Sequence, residues 1–125
     1  MRRCLFVDDS ALIRKVAKRI LNDAGMLVSE AESAAEALSM CAADMPDLII
    51  VDSVLPDMES PDFIRHVRAM EAPAPAQILI CLVEMDVPTI MRAKRAGAQG
   101  FMLKPFERAQ LLHSIGSLTA ASVAA

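Results

Sequence analysis

Three short apolar runs in this chain each end on charged residues, and that recurrence limits the folds open to it. Cys4-Leu5-Phe6-Val7 stops at Asp8-Asp9, Leu48-Ile49-Ile50-Val51 stops at Asp52, and Phe101-Met102-Leu103 stops at Lys104-Pro105. Unbroken apolar runs of this length suit strands covered on both faces, as in a parallel sheet between layers of helices. In such a sheet the carboxyl ends of the strands line one edge, where ligands bind. Three acids and a lysine, distant in sequence, are therefore expected to share one pocket.

Helical patterns alternate with the runs. Leu12, Ile13, Val16, Ala17, Ile20 and Leu21 recur at three- and four-residue spacing and predict a helix with those residues buried, stopped by Gly25. Met26–Val28 reads as a short second strand. Ser33 and Glu36 form an S-x-x-E capping box ahead of Ala37, Leu38 and Cys41. Ser60-Pro61-Asp62 reads as N-cap, first-turn proline and first-turn acid, with Phe63, Ile64 and Val67 behind it. Ile78–Val83 predicts a fourth strand, Asp86 and Pro88 open a helix ending near Gly97, and a last helix covers about 107–118. Residues 119–125, all small, read as a frayed end. The 125 residues fit five β-α units in a single domain with a core of about 2–118.

The core must be aliphatic, because aromatics are only 3% of the chain and nine methionines help fill it. A net charge of −3 argues against direct nucleic-acid binding, which needs a concentrated basic footprint. No apolar run approaches the ~20 residues of a membrane span, and nothing resembles a signal peptide. Cys4, Cys41 and Cys81 lack metal-ligand spacing and read as buried thiols in a reducing cytoplasm. His66 and His113 read as surface helix residues, and Met91 and Met102 as filler. No GxxxxGK[ST] or GxGxxG sequence occurs, which leaves nucleotide hydrolysis and dinucleotide binding unsupported.

Crowded carboxylates define the expected chemistry. Two of them about 5 Å apart repel by roughly 3 kcal/mol at an effective dielectric near 20. Such a cluster retains a proton or takes a divalent cation, and an incomplete set of hard oxygen ligands suits Mg²⁺. A carboxylate beside Mg²⁺ can act as nucleophile toward a phosphoryl group, with Lys104 supplying positive charge for its oxygens.

Val7-Asp8-Asp9-Ser10, Val51-Asp52 with Pro56 beyond it, Gly97-Ala98 and Lys104-Pro105-Phe106 together resemble the CheY-like receiver domain of two-component response regulators. The resemblance spans about residues 2–118. It implies a doubly wound α/β fold, (βα)5, with a flavodoxin-like parallel sheet of order 2-1-3-4-5, an order the general rule for such sheets names for this very family. It implies Asp52 as phosphoacceptor, Asp8 and Asp9 with Asp52 and the Val54 backbone carbonyl as the Mg²⁺ site, and Lys104 as phosphoryl-binding residue. Lys104-Pro105 is expected to be cis. Val7-Asp8-Asp9-Ser10 with Ile13-Arg14 looks more like chemotaxis-type regulators than transcriptional ones.

Departures from the family pattern fall on the readout. Where receivers carry a Ser or Thr at the end of the fourth strand, this chain has Leu82, followed by Val83 where a small residue is usual. The aromatic switch position is Phe101, without a hydroxyl, and Glu59-Ser60 replaces the usual acidic-Gly pair. Beside a phosphoryl group on Asp52, Leu82 is expected to turn outward and pack with Phe101, and Val83 to slow access to Asp52. Arg92, Lys94 and Arg95, with Phe101, form a candidate face for an acidic partner.

The resemblance thus implies a stand-alone bacterial cytoplasmic receiver, phosphorylated on Asp52 by a histidine kinase or histidine phosphotransferase. It would signal by binding a downstream protein target in chemotaxis, motility or a phosphorelay. It is not an enzyme beyond its own Mg²⁺-dependent phosphorylation and dephosphorylation. The alternative is a pseudo-receiver adaptor that binds its partner without phosphate. A third class, an aspartate-nucleophile phosphohydrolase, normally needs a second acid two residues after the nucleophile, where this chain has Val54.

Overall fold

Strands and helices alternate without exception in the computed structural model, which describes residues 2–124 and the side chains of 2–118. The order is β1 (Arg3–Val7), α1 (Ala11–Asp23), β2 (Leu27–Ala31), α2 (Ala34–Ala43), β3 (Leu48–Asp52), α3 (Ser60–Ala69), β4 (Gln77–Leu82), α4 (Val87–Ala96), β5 (Gly100–Leu103) and α5 (Arg108–Ala124). All strand pairs are parallel and the sheet order is β2-β1-β3-β4-β5, as expected.

The two-residue period of a strand divides each apolar run between two cores. Leu5, Val7, Ile49, Val51, Ile78, Ile80 and Leu82 point to the side covered by α2, α3 and α4. Cys4, Phe6, Leu48, Ile50, Leu79 and Cys81 meet Ala17 and Leu21 of α1 and Leu111, Ile115 and Leu118 of α5. Neither face can tolerate a polar residue, which is why the runs are continuous. Each fully buried aliphatic side chain contributes roughly 1.5–3 kcal/mol. Cys4, Cys41 and Cys81 are free and buried. Burial pushes the Cys4 thiol up to about 12 and Cys41 to about 11, and it raises Cys81 as well, so all three remain protonated thiols.

Several expectations need correction. β2 runs Leu27–Ala31 rather than Met26–Val28. It is an edge strand whose exposed Ser29 and half-exposed Glu30 broke the apolar pattern, while pairing from Arg3↔Leu27 to Val7↔Ala31 fixes its length. Leu12 and Val16 are 72% and 45% exposed, because α1 seats only the Ala17–Leu21 side on the sheet. β4 ends at Leu82, one residue before the expected Val83. α3 begins at Ser60, not after it: Glu59 is the N-cap and makes no side-chain cap bond. Ser60 is consequently drawn into the buried first turn, where its hydroxyl has no hydrogen-bond partner. α5 is helical past the expected end to Ala124, while the side chains of 119–125, on which the expected fraying bears, lie outside the described residues.

Capping otherwise follows the sequence. Ser10, Ser33 and Asp86 accept from the backbone N–H three residues on, at the starts of α1, α2 and α4. Gly97 closes α4 at φ +125°, and a Cβ there would lie 2.8 Å from Arg68 Nε. A cap that no local pattern predicts comes from Asp57, whose two carboxylate oxygens accept from Ala34 N and Ala35 N at 2.9 Å each, tying the loop after β3 to the start of α2.

Candidate functional site

At the carboxyl edge of the sheet, Asp8 follows β1, Asp52 closes β3 and Lys104 follows β5. Register brings them together: β1 pairs Val7 with Val51 of β3, and β4 pairs Leu82 with Leu103 of β5. The backbone N–H of Lys104 donates to Leu82 O at 2.6 Å, holding the strand end, and the Lys104-Pro105 peptide is cis as expected. Lys104 Nζ then lies 3.0 Å from Asp8 Oδ2 and 3.0 Å from Asp52 Oδ2. These are the buried charges of the protein among the described residues, at 1% exposure for Asp8, 7% for Asp52 and 9% for Lys104. Asp9 is exposed at the rim.

Each group is held from behind. Asp8 Oδ1 accepts from Ser10 N at 2.9 Å, and Asp8 N donates to Ala31 O at 3.0 Å. Arg14 donates from Nη1 to Asp8 O at 2.6 Å while its Nε pairs with Glu30 at 3.1 Å. No sequence pattern marked this Arg14–Glu30 support, because its partners come from α1 and the edge strand. Asp52 Oδ1 receives a longer bond from Val54 N at 3.4 Å. Val54 is 73% exposed and pairs with Glu59 in an isolated bridge that closes the loop after β3.

The electrostatics pull in opposite directions. Burial raises the pKa of Asp52 and the nearby Asp8 charge adds to this, whereas Lys104 and the Val54 N–H oppose it. Burial works to lower the pKa of Lys104, but its hydrogen bonds and charge contacts with Asp52 and Asp8 outweigh it, so the net shift is upward. Asp8, Asp9 and Asp52 each offer a carboxylate oxygen, all within 4.8 Å of one another. Three carboxylates against one ammonium leave a net charge of −2, and hard oxygens in this number fit Mg²⁺, which keeps waters and accepts phosphate oxygens. The chain's residues therefore suit such an ion.

Asp52 and Lys104 open onto a cleft of about 1130 Å³ between the loop after β3 and the start of α4. Leu82 and Val83 form part of its wall in different ways. Without a phosphoryl group Leu82 is 3% exposed in the α3–α4 core, and Phe101 packs against the same cluster. Val83 is 70% exposed at the mouth. Arg92, Lys94 and Arg95 are all exposed on α4, the last two in its final turn, and Arg92 also lines the cleft. On the far side of Val83 and Lys104, exposed Leu12 and Val16 join Ile13, Pro105 and Phe106 around a shallow apolar hollow of about 370 Å³. His66 and His113 are exposed and outside the site. Among the described residues, no helix is long and apolar enough to cross a membrane.

The profile of the response regulator receiver domain matches residues 4–116. The chain is 32% identical to the chemotaxis protein CheY of Bacillus subtilis over 114 residues, covering 90% of this chain and 93% of that protein. It is 29% identical to the chemotaxis protein CheY of Thermotoga maritima, covering 94% and 98%. The solved structure of the chemotaxis response regulator CheY4 of Vibrio cholerae superposes with a TM-score of 0.89 at 32% identity, covering 94% of this chain and 98% of that one.

Proposed function

The chain belongs to the response regulator receiver family, and from that premise we propose that Asp52 accepts a phosphoryl group from a phosphohistidine of a histidine kinase or histidine phosphotransferase. An Asp52 oxygen forms the new O–P bond as the P–N bond to the donor imidazole breaks, the electron pair leaving with that nitrogen. Asp52 must be ionised to attack, and its burial opposes this, so Lys104 at 3.0 Å acts to keep it charged. Asp8, Asp9 and Asp52, with the Val54 carbonyl, would hold Mg²⁺, which when bound offsets the charge on the phosphoryl oxygens. Lys104 then exchanges part of its contact with Asp52 for a phosphoryl oxygen while keeping Asp8. The apolar hollow at Leu12, Val16 and Phe106 borders Lys104 and suits the apolar side of a helix that presents the donor histidine.

In this reading a single cytoplasmic receiver domain signals by binding another protein, of chemotaxis type, with exposed Lys94 and Arg95 of α4 offered to an acidic partner. The observation that carries it is Lys104 suspended between Asp8 and Asp52 at equal distances, beside an exposed third acid. Mass spectrometry with a small phosphodonor tests it: one phosphoryl group should add to the chain with Mg²⁺, and none without Mg²⁺ or in Asp52→Asn. An unmodified chain, in a buffer that labels another receiver, defeats the proposal and favours phosphate-independent binding.

A further inference from the structure

A phosphoryl group on Asp52 would meet one wall of the cleft that offers its oxygens nothing. That wall is Leu82, apolar and buried. The space in front of it is also lined by Arg92, one turn into α4. Lys104 is already committed to two carboxylates at 3.0 Å, whereas Arg92 is almost uncommitted. Among the described residues its guanidinium donates from Nη2 to Thr89 Oγ1 at 3.2 Å, and no carboxylate lies within ion-pair distance, although its charge acts on nearby Asp86. A guanidinium carries five N–H donors, so most of its capacity is unspent.

We propose, resting on the phosphoacceptor reading, that Arg92 is the phosphoryl ligand of this chain in place of the missing hydroxyl. On phosphorylation its guanidinium leaves Thr89 and donates to the phosphoryl oxygens. The planar fork matches phosphate geometry and does not need to sit on β4, since Arg92 lines the same cleft as Asp52 from α4. The competitors for Arg92 are the exposed single charges of Glu59, Glu84 and Asp86, which also line the cleft; Asp86 already attracts Arg92 but accepts from Thr89 at 2.7 Å. An acyl phosphate brings about −1.5 to −2 charges into a partly buried site. Thr89 and Asp86 form the cap of α4, so drawing Arg92 toward Asp52 acts directly on the first turns of that helix. The signal would leave through α4, with Leu82 remaining in the core.

Beryllofluoride with Mg²⁺, a phosphoryl mimic that needs no donor protein, tests this by calorimetry on the full chain. Amide exchange of α4 is followed in the same samples. Arg92→Ala should weaken beryllofluoride binding by about tenfold or more, the scale of a hydrogen bond to a charged group. Arg92→Lys should restore part of the loss, and the α4 exchange change seen in wild type should vanish in Arg92→Ala. Arg65→Ala, which removes an equal charge from neighbouring α3, should stay within about twofold, as expected for an exposed charge. Equal weakening by Arg65→Ala would reduce the effect to general field and overturn the proposal. Wild-type affinity and α4 exchange in Arg92→Ala would overturn it while leaving Asp52 as phosphoacceptor. A wild type that binds Mg²⁺ but no beryllofluoride would overturn both.

Discussion

Removing Lys104 exposes what holds the acidic cluster together. Its ammonium is 3.0 Å from a carboxylate oxygen on each of Asp8 and Asp52, and at an effective dielectric near 20 each contact is worth about 5.5 kcal/mol of attraction. Oxygens of the two acids lie within 4.8 Å of one another, so their repulsion on the same scale is at least about 3.5 kcal/mol. Desolvation of three charges absorbs most of the attraction, but the repulsion survives deletion of the lysine. Lys104→Met keeps the volume of the stem and should therefore cost about 3 kcal/mol at pH 7, the low end for an orphaned buried charge because the cleft admits water. Adding Asp52→Asn should return most of that loss, since one carboxylate can then stay charged alone. Asp52→Asn by itself should hold or gain stability, because burial already disfavours its charge.

The pH dependence has a definite sign. A carboxyl whose folded pKa is raised binds protons more readily folded than unfolded. Its folded form gains as pH falls, fully below the unfolded value near 3.9, and loses as pH rises through the folded value. Without Lys104 the shift grows, so Lys104→Met should recover on wild type between pH 7 and pH 5, the proton replacing the ammonium. Saturating Mg²⁺ should do the same at pH 7. Urea unfolding by circular dichroism, read as a double-mutant cycle at both pH values, measures all of this. A loss below about 1 kcal/mol, the scale of an exposed pair, would refute the electrostatic account. So would a double variant no more stable than Lys104→Met.

Ser60→Ala should stabilise the protein by about 1 kcal/mol, because a buried hydroxyl without a partner carries its desolvation cost uncompensated; a lower melting temperature would mean the hydroxyl is satisfied in solution. Leu82→Thr should cost about 2–3 kcal/mol of stability through lost core packing, yet raise the phosphate dependence of partner binding by about one to two powers of ten if the new hydroxyl reaches the phosphoryl group. A threonine variant whose partner affinity gains no more from phosphate than wild type does would refute the expected gain.

Asp8, Asp52 and Lys104 were legible because strand ends are the one place where a local pattern fixes a global position. A run buried on both faces must lie inside a covered sheet, and the residue that ends it must emerge at the sheet edge. Leu12 and Val16 were misread for the opposite reason. Helical periodicity marks a stripe of apolar residues, but nothing forbids an apolar residue from facing water, and only Ala17 and Leu21 are fully buried. The apolar pattern stops short of the end of β2 because an edge strand tolerates Ser29 and Glu30. Ser60 fitted a capping pattern, yet the loop from Val54 to Glu59 closes one residue earlier and makes Glu59 the cap. Asp57 gave no signal because the amides it caps lie 22 and 23 residues away.

Arg92 shows where pattern reading stops. Beside Lys94 and Arg95 it reads as one member of a basic face; Lys94, two residues on, points elsewhere, whereas Arg95, three residues on, is its neighbour on the helix surface, and Arg92 also borders the cleft. Strand-end residues emerge at the sheet edge wherever register puts them, so even the long Lys104 side chain starts from a fixed point. A long side chain on a flanking helix is placed by the helix's rotation against the sheet, which here depends on Ile90, Ala93 and Ala96 in the core. Chemistry at Asp52 and its readout are therefore encoded differently. Register carries the first and tolerates little change, whereas helix rotation carries the second, so a donor lost from β4 can be replaced from α4 without touching the acids or Lys104.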